Sequence, residues 1–478
     1  MIGNSENMIR DSGFRKPMQG PSAILNSESC ILIPFPLNAA HIAVPGALEI
    51  VRRLKAAGFI AYWAGGCVRD LIMGRSAKDF DIATNAVPDK VMELFPGAVA
   101  VGKSFGVVRI PVAGNWYEVA TFRKDAEYRD GRHPESITFS DPETDAQRRD
   151  FTVNALFYDP LEQQVIDYVK GRADIEGGVI RAVGVPADRF REDHLRMLRA
   201  VRFAAALGFV IEPATANAIR ATAVRMTSIS AERIREELNR LLVESRQAGE
   251  AILLLKDLGL LQMILPEVAA MQGVEQPPEY HPEGDVFQHT IIMLNEMHTD
   301  DYRLAWAVLL HDVGKPPTAQ FKEGRWRFEC HAKVGADAAR VILERLKFSC
   351  DDRDAITFMV GNHMRFIDVK SMRRATLRRL VGAPTFLSEM ELHRLDCFSS
   401  HGDLVNHEYL MEFRRQMESE PVLPAPWVNG RDIIALGISE GPEVGVWRKK
   451  AYDAQLEGIV TDREALLEWL LGEMGRGQ

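Results

Sequence analysis

Cysteine is scarce in this chain of 478 residues, and neither a long apolar run nor an excess of positive charge is present. The five cysteines are scattered and form no C-x-x-C pair, which argues against a disulfide framework or a zinc ribbon and predicts a reducing cytoplasm. No apolar run is long enough to span a bilayer, and no signal peptide is expected. The net charge of −9 excludes a uniformly basic nucleic-acid coat, although a local arginine-rich face could still bind RNA.

The remaining composition is that of a globular protein with several domains. Hydrophobic residues make up 46% of the chain and charged residues 26%, and the length suits two to four domains. Residues 1–40 show no sustained hydrophobic period and are predicted to form a flexible extension.

One stretch, from Ala64 to Thr84, combines a glycine turn with paired acids. Gly65 and Gly66 lie between a β-like run and a short helical segment, so backbone N–H groups and the helix start could bind an anion. Asp79 and Asp81 would lie on one face of an extended strand. Two adjacent carboxylates repel each other unless a cation such as Mg²⁺ lies between them. Each half alone is more often a plain turn or a solvated loop, but together they predict phosphoryl or nucleotidyl transfer.

Two further segments supply polar groups for the same chemistry. Glu118 lies on a predicted strand that follows a hairpin turn, where it could add a carboxylate to the site. From the local pattern alone, an ordinary glutamate at the rim of an edge strand is equally well supported. In the run from Arg148 to Ala155, Arg149 could pair with triphosphate oxygens, and Asp150 and Asn154 could hydrogen-bond a ribose hydroxyl. Taken alone, this run fits a capped helix start with solvated arginines.

These ordered motifs resemble the nucleotidyltransferase superfamily, and specifically the bacterial tRNA CCA-adding enzyme and poly(A) polymerase family, over residues 45–245. The resemblance implies template-independent addition of CCA to the 3′ end of tRNA from CTP and ATP with Mg²⁺. It implies that the metal is held by Asp79 and Asp81, with Glu118 as a third acid. The implied nucleotide-binding residues are Gly65, Gly66, Arg69, Arg149, Asp150, Asn154, Asp193, Arg196 and Arg199.

The choice of nucleotide is assigned to an arginine-rich helical region that starts near Arg189. Asp193 and Arg196 are three residues apart and would be neighbours on a helix. Their acceptor and donor could match the base edge of cytosine or adenine, although a surface salt bridge is the more common outcome for such a pair. In the resembled family, an acid and an arginine at these positions select CTP or ATP, and Arg199 lies one turn further on.

After residue 284 the pattern is predicted to be entirely helical and contains a second group of metal-type ligands. His311-Asp312-x-Gly-Lys resembles the motif of HD-type metal phosphohydrolases. The resemblance implies a divalent ion, such as Ni²⁺, Mn²⁺, Co²⁺ or Mg²⁺, with the ligands His289, His311, Asp312 and Asp396. His331 and His363 could bind a second metal or a phosphate, although each taken singly fits a hydrogen-bonded core histidine.

The predicted fold class is α+β, with a small mixed sheet and helices in an N-terminal nucleotidyltransferase palm, followed by an all-α neck, body and tail. The predicted segments are a head at 41–175, a neck at 176–275, an HD-type domain at 280–410 and a helical tail at 420–478. The long polar loop at 123–147 favours full CCA addition. The alternatives are a poly(A) polymerase, a CC-only or A-only enzyme, a protein that is mainly an HD-type phosphohydrolase, or a non-catalytic RNA-binding protein. The oligomeric state stays open.

Overall fold

The computed structural model describes residues 24–27, 30–35, 45–77, 79–102, 105–126, 136–417 and 421–475. The chain divides into two compact units, Met1–Glu192 and Asp193–Gln478. The first unit mixes strands and helices and the second is mostly helical, so the predicted α+β fold class is confirmed. Among the described residues, no helix combines the length and the apolar character needed to cross a bilayer.

The N-terminal unit is built on a nine-stranded sheet with the order β1-β2-β11-β10-β3-β4-β7-β6-β5, while β8 and β9 pair separately. Strands β4 and β7 are parallel, and the other described neighbours in the sheet are antiparallel, so the sheet is mixed. The strands of this unit are β1 (Ile24–Ser27), β2 (Cys30–Pro34), β3 (Ala61–Ala64), β4 (Asp81–Thr84), β5 (Val99–Gly102), β6 (Val107–Val112), β7 (Asn115–Thr121), β8 (Arg123–Asp125), β9 (Ile137–Phe139), β10 (Leu156–Asp159), β11 (Gln164–Asp167) and β12 (Val179–Ile180).

Within the described part of this unit, six helices accompany these strands. The first buries Ala47, Ile50, Val51 and Leu54 at helical spacing and packs on β3 and β4, because one apolar face of a helix needs a partner. A short 3₁₀ helix spans Thr152–Asn154. The helices are α1 (Pro45–Ala56), α2 (Gly66–Ile72), α3 (Pro88–Leu94), α4 (Pro142–Gln147), α5 (Gly171–Gly177) and α6 (Pro186–Glu192).

Two segments of this unit differ from the sequence-based expectation. Within residues 1–40, the described parts form β1 and β2, and β2 pairs with β11, so they belong to the sheet rather than to a loose extension. Within the predicted loop at 123–147, the described residues form β8, β9 and α4. The rest of that loop, 127–135, lies outside the described residues.

The described residues of the second unit form helices and three short strands. Three 3₁₀ helices span Ala223–Ser228, His363–Phe366 and Val369–Ser371. The strands are β13 (Val210–Ile211), β14 (Gln320–Lys322) and β15 (Arg325–Arg327). The helices are α7 (Arg196–Leu207), α8 (Pro213–Thr222), α9 (Ala231–Glu244), α10 (Ala248–Asp257), α11 (Leu261–Ile264), α12 (Pro266–Ala269), α13 (Val286–Glu296), α14 (Tyr302–Leu310), α15 (Lys315–Thr318), α16 (His331–Arg345), α17 (Cys350–Asn362), α18 (Arg374–Val381), α19 (Phe386–Ser399), α20 (Val405–Gln416), α21 (Gly430–Ala435), α22 (Pro442–Glu457) and α23 (Arg463–Gly475).

The expectation of an entirely helical pattern after residue 284 is wrong at one place. Strands β14 and β15 pair antiparallel across Glu323 and Gly324, which both have positive φ angles. Two such residues in a row suit a two-residue hairpin turn. The strands are too short and too polar for periodicity to reveal them.

Candidate functional site

The acidic residues of the N-terminal unit meet where β4 begins. Phe80 and Ile82 are buried, whereas Asp79 and Asp81 are exposed. This alternation is that of extended chain, so the two carboxylates share the solvent side of the segment. Asp79 lies just before the strand and not within it.

Glu118 reaches the same place through strand pairing. Ile82 on β4 lies opposite Val119 on the parallel strand β7, so Asp81 and Glu118, one step earlier on each strand, are neighbours on the other face. Oε1 of Glu118 also lies 4.0 Å from Nε of Arg109 on β6. Residues far apart in sequence therefore bring a third carboxylate to the acidic pair.

The pKa of Asp81 depends on the charged side chains around it. Partial desolvation raises the pKa of its carboxyl group, and the negative charges of Glu118 and Asp79 raise it further, whereas Arg149 lowers it. Solvent still reaches the Asp81 side chain. Like charges in such proximity favour a cation between them, and carboxylate oxygens are ligands that Mg²⁺ accepts.

The spacing of these acids is wider than that of a compact ligand set. Within the described ranges, the sets in which ligand atoms of at least three side chains lie within 4.8 Å of one another all belong to the C-terminal unit. Mutual repulsion of carboxylates favours the wider spacing, and a divalent cation would draw them together.

A glycine turn lies next to the acids because Ala64 pairs with Asp81. Gly65 has a φ angle of 77°, in the left-handed region that favours glycine. A Cβ atom at Gly65 would lie 3.2 Å from Nη1 of Arg149, and one at Gly66 would lie 3.7 Å from Nη2 of Arg69. The absence of side chains at the turn thus lets two guanidinium groups, which can bind phosphate, approach the backbone closely.

Arg149 is held by Asp145, a residue that the sequence analysis did not select. Nε and Nη2 of Arg149 donate to Oδ2 of Asp145 at 3.1 and 3.0 Å, and Nε and Nη2 of Arg148 donate to Oδ1 at 2.9 and 2.7 Å. Burial alone would raise the pKa of Asp145, but the two guanidinium groups outweigh burial and lower it. Its position three and four residues before two arginines was the available signal.

Asn154 connects the other predicted nucleotide-binding residues. Its Oδ1 accepts from Nη1 of Arg69 at 2.7 Å, and its Nδ2 donates to Oδ1 of Asp150 at 3.4 Å. The carbonyl oxygen of Asn154 accepts from Nη1 of Arg149 at 3.1 Å. Hydrogen bonds therefore join these side chains into one network around the glycine turn.

In the second unit, Asp193 differs from its predicted setting. The prediction that Asp193 and Arg196 lie three apart on one helix is wrong, because α7 begins only at Arg196. Oδ1 of Asp193 accepts from the N–H of Leu195 at 3.1 Å, a local bond typical of aspartate before a helix. Its Oδ2 accepts from Nη2 of Arg233 at 2.7 Å. Arg196 is buried.

Arg199 is paired with Glu237, a residue of α9 that sequence reasoning missed. Its Nη1 lies 3.5 Å from Oε1 of Glu237 on α9, and its guanidinium lies 5.2 Å from the ring centre of Phe203. Glu237 also accepts from Nε of the buried Arg202 at 2.7 Å. One carboxylate therefore pairs with two arginines of α7.

A second candidate centre lies just after α14. Oδ2 of Asp312 lies 3.0 Å from Nε2 of His311 and 2.7 Å from Nζ of Lys315. Oδ1 lies 3.6 Å from Nε2 of His331 and 3.9 Å from Nε2 of His363. The structure therefore gathers around Asp312 three histidines from separate parts of the chain.

Hydrogen bonds orient these three histidines. Nδ1 of His311, His331 and His363 lies 2.8, 2.8 and 2.7 Å from the carbonyl oxygens of the residues three positions earlier. Since a carbonyl only accepts, each Nδ1 carries the proton and each Nε2 presents a lone pair, as in metal-ligating histidines. Burial lowers the pKa of His331, and it lowers the pKa of His363 to about 4.

His289 extends the centre through partners on both ring nitrogens. Nε2 lies 3.1 Å from Oδ1 of Asp396, and Nδ1 lies 2.6 Å from Oε1 of Glu283, which also lies 2.9 Å from Nδ1 of His281. Burial opposes the charged imidazole, but Asp396 and Glu283 raise the pKa of His289 to about 9. Sequence reasoning missed Glu283 and His281, which lie in the proline-rich segment before α13.

Among the buried atoms at this centre that make no hydrogen bond of acceptable geometry within the described residues are Nε2 of His311 and both carboxylate oxygens of Asp312, although Oδ2 is ion-paired with Lys315. Burying such acceptors is costly unless something satisfies them. Aspartate oxygen with imidazole nitrogen is a donor set that suits a divalent transition metal. The residues therefore fit a metal ion.

Three family models match the chain in succession. They are described as the poly A polymerase head domain, at residues 61–181, the probable RNA and SrmB-binding site of polymerase A, at 208–272, and the HD domain, at 285–400. The first and third cover the two centres described above.

Relatives match over nearly the whole chain. A CCA-adding enzyme of Geobacillus kaustophilus is 34% identical over 433 residues, which is 89% of this chain and 96% of that protein. A CCA-adding enzyme of Geobacillus thermodenitrificans is 41% identical over 434 residues, with the same shares covered.

Solved structures share the fold. The CCA-adding enzyme of Bacillus stearothermophilus in complex with CTP is 30% identical with a TM-score of 0.68, covering 90% of this chain and 97% of that one. The Thermotoga maritima CCA-adding enzyme complexed with tRNA-CCA is 19% identical with a TM-score of 0.57, covering 90% and 94%, and shows the fold alone.

Proposed function

Because this chain belongs to the family of CCA-adding enzymes, we propose that it adds C, C and A to the 3′ end of tRNA from CTP and ATP, without a nucleic-acid template. The observation that carries this proposal is the meeting of three carboxylates, Asp79, Asp81 and Glu118, beside Arg149 and the Gly65 turn. An acidic cluster next to guanidinium groups that can bind phosphate suits the transfer of a nucleotide to an RNA hydroxyl.

The acids would hold Mg²⁺, which when bound lowers the pKa of the attacking 3′-hydroxyl and carries the triphosphate. Arg149 and Arg69 would bind phosphate oxygens across the turn at Gly65 and Gly66, because their guanidinium groups are already aligned by hydrogen bonds. Asp150 and Asn154 are assigned to the ribose.

Asp193, Arg196 and Arg199 are assigned to the choice of base. Asp193 would accept from the exocyclic amine of cytosine or adenine, and Arg196 would donate to the ring, a pattern that guanine and uracil do not match. Arg233 supports the assignment, since its ion pair orients the Asp193 carboxylate. Asp193→Ala should blur discrimination among the four nucleotides. Unchanged preference for C and A would refute the assignment.

The decisive experiment offers the full-length protein a tRNA that ends before CCA, with CTP alone, ATP alone, or both. Ordered addition of two C residues and one A residue supports the proposal. Long A tails from ATP alone would identify a poly(A) polymerase, and arrest after CC, or A added only to a CC end, would identify a partial enzyme.

A second candidate function belongs to the C-terminal centre, which we assign to metal-dependent hydrolysis of phosphate esters. The gathering of histidines around the buried Asp312 carboxylate favours it, with His289, His311 and Asp396 as the other ligands and His331 and His363 beside them. Lys315 would bind the phosphate. Release of phosphate from esters by protein supplied with Mn²⁺, Ni²⁺, Co²⁺ or Mg²⁺ tests this function, and Asp312→Ala should abolish it. If ester hydrolysis proceeded while tRNA was not extended, this would be the main activity.

The cytoplasm is the proposed location. All five cysteines are free thiols, and Cys67 and Cys397 are buried, as suits a reducing compartment. Fractionation of cells that express the tagged protein would test the location.

A further inference from the structure

A cavity of about 760 Å³ opens above the C-terminal centre. Four residues of this centre line the cavity, and they are Asp312, His331, His363 and Asp396. Its size falls within the range that holds a small organic ligand rather than a bare phosphate ion. The cavity is therefore large enough for the alcohol part of a phosphate ester as well as for its phosphate.

Part of the cavity wall is aromatic and apolar, and polar side chains such as His401 and Asn406 line other parts. The aromatic and aliphatic side chains of this part of the wall are exposed or half-exposed. They are Tyr280, Trp326, Phe328, Met364 and Ile367. Such a wall next to a polar centre suits a ligand with a charged end and a flat apolar end.

The ring of Trp326 on β15 is oriented by a hydrogen bond and by a contact with a second ring. Its Nε1 donates to Oε2 of Glu275 at 3.1 Å, and its ring meets Phe321 of β14 edge to face at 5.4 Å. Phe321 lies directly opposite on the hairpin, is 62% exposed and does not line the cavity. Trp326 is therefore held in place as a fixed flat surface.

Cationic groups connect the aromatic wall to the metal side. Nζ of Lys315 lies 2.7 Å from Oδ2 of Asp312 and 2.6 Å from Oε1 of Gln276, and it is 5.6 Å from the ring centre of Phe328. Arg327, next to Trp326, also lines the cavity. An anion at the metal side and a ring at Trp326 would both find complementary groups.

We propose that Trp326 is a base-binding platform, so that this cavity takes a nucleoside phosphate ester with its base against Trp326 and its phosphate toward Asp312. The assignment rests on the proposed phosphohydrolase function. Stacking on an aromatic side chain is tolerant of base identity, so a free nucleotide and the phosphorylated end of an RNA strand share the required chemistry. In hydrolysis, water oxygen bonds to phosphorus, the bond from phosphorus to the ester oxygen breaks, and a proton from water passes to the released alcohol.

The test compares Trp326→Ala with the matched control Phe321→Ala in the full-length, metal-supplied protein. The substrates are a nucleoside 3′-phosphate, a short oligoribonucleotide with a 3′-phosphate, and glycerol phosphate, which has no ring. We expect Trp326→Ala to raise KM for the nucleoside and oligonucleotide esters about tenfold, a typical loss for one stacked base. KM for glycerol phosphate should stay within about twofold, since no stacking is lost. Phe321→Ala keeps the Trp326 ring and removes only a ring that packs against it, so it should raise the KM for the ringed esters less than Trp326→Ala does. Trp326→Phe should restore most of the loss.

Binding gives a second readout that does not need turnover. Titration of the metal-free protein with a nucleoside monophosphate, followed by calorimetry, should show weaker binding for Trp326→Ala than for Phe321→Ala. Equal KM changes for ringed and ringless esters, or equal binding by the two variants, would overturn the platform while leaving the hydrolase function standing. Absence of hydrolysis for every ester would refute the hydrolase function, and the binding comparison would then decide the platform. A lower KM for the oligonucleotide than for the nucleotide would identify an RNA end as the source.

Discussion

At the scale of one residue, Asp81 shows how a functional site can hold a carboxylate in surroundings that disfavour its negative charge. Its carboxyl pKa is raised by desolvation and by the charges of Glu118 and Asp79. Asp145 is the opposite case, since the two arginines that it holds lower its pKa. The first acid is arranged to receive a cation, and the second is already neutralised by the residues that it orients.

Replacing Asp81 should separate activity from stability. Asp81→Ala should reduce nucleotide incorporation about 1,000-fold, the order of loss when a charge that stabilises the transition state is removed. Because the folded pKa of Asp81 is raised, its contribution to stability is fully present below the unfolded pKa and is lost as pH rises through the folded pKa. Asp81→Asn should therefore raise the Tm of protein in EDTA at neutral pH, and the gain should shrink toward pH 4. A lower Tm at neutral pH would contradict this reasoning.

Replacing Asp145 should loosen Arg149. Asp145→Asn leaves two guanidinium groups without their buried carboxylate, so we expect the protein to lose about 3 kcal/mol of stability and to bind CTP more weakly. The matched control is Asp159→Asn, which removes a buried carboxylate on β10 that is paired with Lys55 on α1. Thermal unfolding and KM for CTP measure both effects. A similar rise of KM in the two variants would contradict the positioning role of Asp145.

At the scale of secondary-structure elements, helices α7 and α9 are joined by ion pairs between their side chains. Arg202 is buried, and its Nε and Nη1 pair with Glu237 at 2.7 Å and Glu244 at 3.0 Å. Arg199 shares Glu237. The ion pairs set the register of the two helices, since a buried charge tolerates no alternative partner.

Breaking this connection should destabilise the second unit. Glu237→Ala leaves Arg202 buried without its principal partner, and we expect a loss of about 3–5 kcal/mol. Glu236→Ala, on the adjacent exposed position, removes only a surface carboxylate 3.7 Å from Arg235 and should change stability by less than about 0.5 kcal/mol. Chemical unfolding of both variants measures the difference. Equal losses would show that the buried pair does not hold the helices.

At the scale of the whole molecule, two chemical centres lie in two compact units. The acidic cluster belongs to Met1–Glu192, and the histidine-rich centre belongs to Asp193–Gln478. Each unit has its own hydrophobic core, and the C-terminal tail adds another around Ile433 and Leu466. Separate cores allow the two centres to be altered independently.

The two activities should therefore dissociate. Asp312→Ala should abolish ester hydrolysis while leaving tRNA extension within about twofold of wild type, and Asp81→Ala should do the reverse. Both activities are measured on both variants, with Tm as the check on folding. Loss of tRNA extension in a folded Asp312→Ala protein would show that the two centres depend on each other.

Local pattern was enough for much of the fold. The strand and the short helix on either side of the Gly65–Gly66 turn were predicted and are β3 and α2. The strand predicted to carry Glu118 is β7. The hairpin of β14 and β15 was missed because its strands are three residues long and polar.

The sequence by itself determined the family, the α+β class and the candidate acids and histidines, because motifs such as Asp79-x-Asp81 and His311-Asp312 are short and contiguous. Only the tertiary structure brought Glu118 beside Asp81, Asp145 under two arginines, and Glu283 against His289. These pairs depend on strand register and helix packing between distant segments. Local periodicity carries no information about which distant segment will be the neighbour, and the apolar cores decide it.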